Sequence, residues 1–296
     1  HASFQKPELL YYGDFGGSGK RRLVEAKFEG GVCYPRRGFS CSRNAIPFLH
    51  PKLKTFDKFA SSPLAELYAT RRLASALRLE VNTLESGTLI NDGTGRFEFR
   101  ALPQLAQISP GFGVVVTEVD GDGHPDCVIA QNFFGPQRET GRMDGGLSLV
   151  LRGDGAGGFK PVWPRRSGLA VPGDAKSLTV ADLNADGWPD LVFGVNNGGL
   201  QVFENRGVEN GRTFRVRLAR APGARIRVEF KKGPAQTAEL YAGGGYLSQS
   251  PGTLTFGLAK GAVVEKVSVR WPDGSTTSHE PKGARILNLE APVRSP

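Results

Sequence analysis

Cysteine and methionine are scarce: the 296 residues include Cys 3 and Met 1. So few cysteines exclude a disulfide-dense scaffold, and the odd count leaves at least one thiol unpaired in a monomer. Cys33 and Cys41 flank Tyr34-Pro35-Arg36-Arg37-Gly38 and could close a small loop; pairing and free thiols both stay open, so cysteine does not fix the compartment. Cys127 opens the run Cys127-Val128-Ile129-Ala130 and reads as a buried small hydrophobe. Histidine is also rare, with His1, His50, His124 and His279 scattered outside any metal or catalytic pattern, which argues against zinc. No G-x-S-x-G elbow, H-E-x-x-H helix or P-loop occurs. No apolar run approaches the ~18 residues a membrane-crossing helix needs. No basic-then-apolar leader precedes the start, and His1 reads as a processed or trimmed end.

Acidic residues are outnumbered, Asp+Glu 29 against Lys+Arg 38, for a formal net charge of +9. This excess reads as a solubilising surface, offset wherever acidic loops hold metal, or more sharply as a surface for an anionic partner such as an acidic polysaccharide. Nucleic acid is a poor fit, since no zinc finger, aromatic RNA-binding signature or helix-turn-helix pattern appears.

What the chain has in abundance is turn residues, Gly 40 and Pro 20. That load favours many short strands over long helices and points to an all-β architecture. An internal repeat gives the strands their order. VVVTEVDGDGHPDCVIA runs from 114 to 130 and LTVADLNADGWPDLVFGV from 178 to 195. Each places an acidic, glycine-containing loop and a Pro-Asp step between apolar strands, and the loops align at Glu118 and Asp182, 64 residues apart. A worn third copy begins at residue 9 and carries a long insertion, about 44–80, before its later turn at 91–97. Within the insertion Ser62 and Pro63 read as the start of a helix with a stripe at Leu64, Leu67, Tyr68, Leu73 and Leu77. After about residue 212 the acidic loops stop, and short strands separated by Gly- and Pro-containing turns read as a small antiparallel β-domain. The expected organisation is therefore blades over 1–212 and a second domain over 213–296.

The loops carry the chemistry. Glu118, Asp120, Asp122 and Asp126 stand at loop positions 1, 3, 5 and 9; Asp182, Asn184, Asp186 and Asp190 repeat the spacing. A hard cation such as calcium takes six to eight oxygens, which alternate side chains of a tight loop can supply, with the main-chain carbonyls of His124 and Trp188 at position 7 as further ligands. Clustered carboxylates with no cation would repel one another, so the loop and the ion are expected to form together. About two calcium sites are predicted. These are not EF-hands: Ile129 and Phe193 stand where the bidentate Glu would be, and strands replace the flanking helices. In the worn loop Asp14 is followed by Gly16, Ser18 and Arg22 at the other ligand positions, and no calcium is expected there. Arg36, Arg37 and Arg43 form a basic segment, a candidate contact for an anion.

These loops resemble the FG-GAP/VCBS repeats of β-propellers, whose blades carry D-x-D-x-D-G-x-x-D calcium loops. The C-terminal part resembles the ASPIC/UnbV domain through Gly223-Ala224-Arg225, Gln236-Thr237, the segment from Ala242 to Ser250, Phe256-Gly257-Leu258 and Val269-Arg270-Trp271-Pro272-Asp273-Gly274. Together the two resemble the homologues of cartilage acidic protein. The resemblance implies a secreted or extracytoplasmic, calcium-loaded partial or compact β-propeller with a helical insertion and an appended β-domain. Roles suggested for such proteins are adhesion, matrix interaction and binding; this chain is expected to be a calcium-binding scaffold or adhesion and binding module without catalysis, with an extracellular protein or an anionic glycan as partner. Glu118 departs from the pattern, which has Asp at position 1. About three blades are too few for an ordinary closed ring, which leaves a fragment, closure by the C-terminal domain, or assembly of copies open. The alternative function is a secreted glycan-acting hydrolase or lyase that uses carboxylates on the propeller face.

Overall fold

The structure is a computed structural model describing residues 2–292 except 138, 139, 210 and 220; His1 lies outside the described residues. The chain forms two compact units, His1–Glu85 with Gln137–Thr140, and Ser86–Pro136 with Gly141–Pro296. It is all-β with small helical content, built from several small sheets and no closed barrel.

In the first unit β1 (Glu8–Gly13), β2 (Arg22–Glu29) and β3 (Val32–Pro35) form a meander. Five short helices follow: α1 (Phe39–Ala45), α2 (Leu49–Lys52), α3 (Phe56–Ser61), α4 (Leu64–Tyr68) and α5 (Thr70–Ser75). β4 (Leu77–Val81) then pairs with β1. Leu9, Val24 and Ala26 from the sheet are buried against Leu49, Phe59, Leu64, Leu67 and Tyr68 from the helices. The single helix expected after Ser62 is broken. Ala69 at φ 61° stops α4, and the Ser62 hydroxyl donates back to the Lys58 carbonyl at 2.7 Å instead of capping the next helix. Leu77, assigned to the helical stripe, belongs to β4, because pairing with β1 satisfies a whole row of backbone groups that a longer helix would leave as a bare sheet edge.

The second unit opens with the hairpin β5 (Gly87–Asn91) and β6 (Phe97–Ala101), whose turn is the one expected at 91–97. A sheet in the order β10-β9-β8-β7 follows, from β7 (Gly111–Thr117), β8 (Asp126–Gln131), β9 (Leu149–Gly153) and β10 (Phe159–Val162). After the one-turn helix α6 (Pro164–Ser167) comes a second sheet, β11 (Ala175–Ala181), β12 (Asp190–Val195) and β13 (Leu200–Phe203). Both strands that follow acidic loops, β8 and β12, are central, and they read as continuous apolar runs because both of their faces are covered. Val128 and Ala130 of β8 share a core with Leu178, Leu191 and Phe193.

The C-terminal strands form two further sheets. β14 (Thr213–Ala219) lies between β17 (Thr253–Gly257) and β20 (Ile286–Glu290). β15 (Arg225–Phe230), β16 (Gln236–Glu239), β18 (Val264–Arg270) and β19 (Thr276–His279) make the other, in the order β16-β15-β18-β19. Alternation in β14 turns Phe214, Val216 and Leu218 inward to meet Ile226, Val228, Val267, Val269 and Trp271. One pairing departs from the antiparallel expectation: β20 returns parallel to β14, because a crossover rather than a hairpin leads into it.

The segment Gly243–Ser250 covers an open edge. In the second repeat sheet β11 lies at the edge. Its Leu178 amide donates to the Gly245 carbonyl at 3.0 Å, and the Ser248 hydroxyl donates to the Leu178 carbonyl at 2.8 Å. Gly245 is at φ +81°, and a Cβ there would fall 2.0 Å from the Leu178 carbonyl oxygen, so only glycine permits this approach.

Phe193 is fully buried, with its ring edge-on to Phe203 at 5.8 Å between centroids. Phe193→Ala is expected to cost about 3–5 kcal/mol in urea unfolding, the range for emptying a large aromatic site. Unfolding at the wild-type midpoint would show that this core does not hold the second unit together.

Candidate metal centre

The first acidic loop joins β7 to β8 and the second joins β11 to β12, and their internal bonds match almost position for position. At position 9 the two oxygens of Asp126 accept the amides of Val119 and Gly153, each at 2.9 Å. Asp190 repeats this with Leu183 and Asn205, each at 2.8 Å. Each Asp thus ties its own loop to the end of the next strand. At position 5 Asp122 accepts the His124 amide and Asp186 the Trp188 amide, both at 2.8 Å. At position 3 Asp120 accepts the Asp122 amide at 3.2 Å and Asn184 the Asp186 amide at 3.1 Å. The tight path is made possible by left-handed residues at positions 4 and 6: Gly121 and Gly123 in one loop, Ala185 and Gly187 in the other.

Position 1 differs from all the others. Glu118 Oε2 and Asp182 Oδ1 are buried with no hydrogen-bond partner, and they are the only such side-chain atoms among the described residues. A buried carboxylate oxygen left without a donor is costly, and the same fault recurs at the same position of both loops. Ligand atoms of Glu118, Asp120 and Asp126 lie within 4.8 Å of one another. Two oxygens on one calcium ion at 2.3–2.6 Å can be at most about 5 Å apart, so the spacing suits a shared cation. Burial, followed by the charges of Asp126, Asp122 and Asp120, pushes Glu118 up to about 8. Asp126 is pushed up to about 6, by burial first and against the pull of its two amide bonds. The donor set, all carboxylate with no thiolate or imidazole gathered, fits a hard divalent cation.

Arginines partly answer this charge. Arg152 reaches Asp120 at 2.5 Å and Asp122 at 2.8 Å with its own side chain half exposed. In the second loop Arg215 of β14 forms a close ion pair with Asp182 Oδ2, and the Asn184 side-chain amide donates to Asp186 at 2.9 Å. The first loop therefore gathers Glu118, Asp120 and Asp126, while Arg152 pairs with both Asp120 and Asp122. The second gathers no comparable trio of acidic groups among the described residues, since Asn184 replaces one of them. The position-7 side chains pack elsewhere: a Cβ on Gly155 would strike the His124 ring, and Cβ atoms on Gly207, Gly211 or Gly121 would strike Trp188.

C-terminal residues close over both loops. The Gln236 side chain donates to the Gly123 carbonyl at 3.3 Å, and the Thr213 hydroxyl to the Gly187 carbonyl at 2.8 Å. A Cβ on Gly257 would meet Glu118 Oε2 at 2.1 Å, so β17 forms the lid that buries this oxygen. Residue spacing carries no sign of Arg152, Asn205, Arg215 or Gln236. Arg215 lies on β14, and only the docking of that strand supplies Asp182 as its partner.

In the first unit Asp14 accepts the amides of Gly16, Ser18 and Gly19 at 3.1, 3.2 and 2.7 Å, and these bonds, Gly19 foremost, hold its carboxyl below the usual range. Arg36 pairs with Glu8 at 2.9 Å, Arg37 pairs in bidentate fashion with Glu25 at 2.8 Å, and Arg43 stacks over Phe39 and Phe56. The structure thus gives each of these basic residues an internal contact. Cys33 is a free thiol and so is not paired with Cys41, whose thiol lies 3.8 Å from Gln137 Oε1; burial, with the nearby Asp126 charge second, pushes Cys127 up to about 12.

Fold and loops define a repeat β-protein with acidic inter-strand loops closed by a β-sandwich. Residues 140–193 match the family model of the FG-GAP-like repeat, and residues 217–295 match that of ASPIC and UnbV, so the chain joins an FG-GAP-like repeat to a C-terminal ASPIC/UnbV domain. The second acidic loop falls inside the repeat match and the first lies before it. No curated protein matches the chain. FG-GAP repeats are typical of extracellular or cell-surface proteins, and no helix among the described residues is long and apolar enough to cross a membrane. The two domains together indicate an extracellular binding or repeat module.

Asp190→Asn puts a buried N–H₂ donor against a backbone amide. It is expected to cost about 1–3 kcal/mol in chemical denaturation in EDTA, where the exposed Asp186→Asn costs a few tenths. Equal costs for the two variants would contradict the role given to position 9.

Proposed function

We propose that this protein is a calcium-stabilised extracellular binding module of the secreted or cell-surface kind, without catalysis of its own. The reading rests on one observation: both acidic loops bury an unpartnered carboxylate oxygen at position 1. Glu118, Asp120, Asp122 and Asp126, with the His124 carbonyl, would hold one ion. Asp182, Asn184, Asp186 and Asp190, with the Trp188 carbonyl, would hold a second. A bound calcium ion supplies charge compensation in a place that solvent does not reach.

The residues themselves do the remaining work. Asp126 and Asp190 fix the loops to the following strands through two amides each, a use that leaves them poorly suited to acid–base chemistry. Arg215, Thr213 and Gln236 join the loops to the C-terminal sandwich. A loop that is rigid under its cation therefore fixes the sandwich against the repeat sheets and presents a stiff surface to a partner. An extracellular protein or an acidic glycan suits the +9 charge.

Thermal unfolding with calcium and with EDTA tests this reading. An ion bound only by the native state adds about 2.7 kcal/mol at a hundredfold excess over Kd. The wild type is expected to melt higher with calcium. The Glu118→Gln, Asp182→Asn double variant is expected to lose that rise, and Glu118→Gln alone is expected to melt no lower than wild type in EDTA, since it neutralises a buried carboxylate crowded by three others. A wild type insensitive to both additions, and free of metal by elemental analysis, would overturn the calcium assignment.

A further inference from the structure

A cleft of about 560 Å³ opens between the second acidic loop and the C-terminal sandwich, bounded by Asp186, Trp188, Arg212, Thr213, Arg215 and Arg285. Three arginines and a single acidic residue are among its lining residues. Arg285 is exposed and makes no side-chain hydrogen bond or ion pair among the described residues. Arg212 donates only to the carbonyls of Ala259 and Ala262, at 3.4 and 3.2 Å. Arg215 alone has an acidic partner, Asp182. The backbones of two of these residues are neighbours: the Arg215 amide donates to the Arg285 carbonyl at 3.0 Å, where β14 meets the entry to β20.

We propose that this cleft binds a carboxylate-bearing sugar, a uronate of one or two rings, through Arg285, Arg212 and Arg215. Its volume falls in the ~300–1,000 Å³ range of small-molecule sites. Planar guanidinium groups match a carboxylate by paired N–H donors. Sugar hydroxyls suit the acceptors that the lining also offers, Asp186 among them.

The coupling part of this proposal rests on the calcium reading. Arg215 is shared between the cleft and position 1 of the second loop. A cation on Asp182 Oδ1 would offset that carboxylate's charge, so more of the charge of Arg215 is left for the cleft while its bond to Oδ2 still ties the loop to the sandwich. Calcium and uronate then strengthen each other's binding by the same factor.

Isothermal titration of the whole chain with digalacturonate tests both parts, with the neutral disaccharide of galactose as control. Saturable binding is expected for the uronate alone, several-fold tighter in calcium than in EDTA. Arg285→Gln is expected to weaken it about ten-fold, the loss of one charge-assisted contact, while keeping the wild-type rise in melting temperature with calcium. Uronate binding no tighter than the neutral sugar, in a protein that still responds to calcium, would overturn the cleft assignment. So would displacement by an equal concentration of inorganic sulfate, which would reduce the site to a non-selective patch of charge. Equal affinity in calcium and EDTA in a calcium-responsive protein would overturn the coupling. Uronate binding in a protein with no calcium response would uphold the cleft and overturn the calcium reading.

Discussion

Two carboxylate oxygens, one on Glu118 and one on Asp182, are buried where no protein donor reaches them, and the surrounding architecture is organised about that fact. A carboxylate can stay ionised out of water only if something positive or a set of N–H donors compensates it. In each loop position 9 is compensated by two backbone amides, position 5 by the amide two residues on, and position 1 is left short. Glu118 shows the consequence, since burial and three neighbouring carboxylates push it up to about 8. Arg152 and Arg215 relieve part of the charge from outside the loops but reach neither of the two orphaned oxygens.

The same loops serve as the joint between repeat sheets and sandwich. Gly257 on β17 seals Glu118, Gln236 holds Gly123, and Thr213 and Arg215 hold the second loop. A few residues away, the Gly243–Ser250 segment covers the free edge of β11 with backbone and hydroxyl bonds. Sandwich and repeat therefore meet along an unpaired sheet edge and a set of charged loops. Neither surface could face water unchanged: the edge would invite pairing with another chain, and the loops would fray. This joint explains why the ASPIC/UnbV segment is rich in glycine just where it is. At Gly245 the backbone must pass within reach of Leu178, and a side chain would collide.

Much of this was legible in the sequence, for reasons of period and spacing. The short strands expected after residue 212 between Gly- and Pro-containing turns are there, β14, β15 and β17 among them, because such turns end one strand and start the next within a few residues. The repeated positions 1, 3, 5 and 9 marked the two loops, because the side-chain oxygens at those positions accept the same loop amides in both and so constrain residue type at fixed intervals. The helical insertion was visible only as a region. Its apolar stripe ran on through Leu77, but whether that residue ends a helix or starts a strand depends on β1 lying alongside, and local pattern is blind to a partner that distant in sequence.

The residue types of the acidic loops, their alternation with strands and the onset of a second β-domain were thus determined by the sequence alone. Tertiary structure decided which oxygens are left without donors, that Arg215 and Arg152 answer the loops' charge, that β20 runs parallel to β14, and that Arg212, Arg215 and Arg285 share one cleft. The division has a physical cause. Backbone conformation and ligand spacing are set by neighbours a few residues away, whereas burial and charge compensation depend on which surfaces meet, and those surfaces come from segments 30 to 140 residues apart.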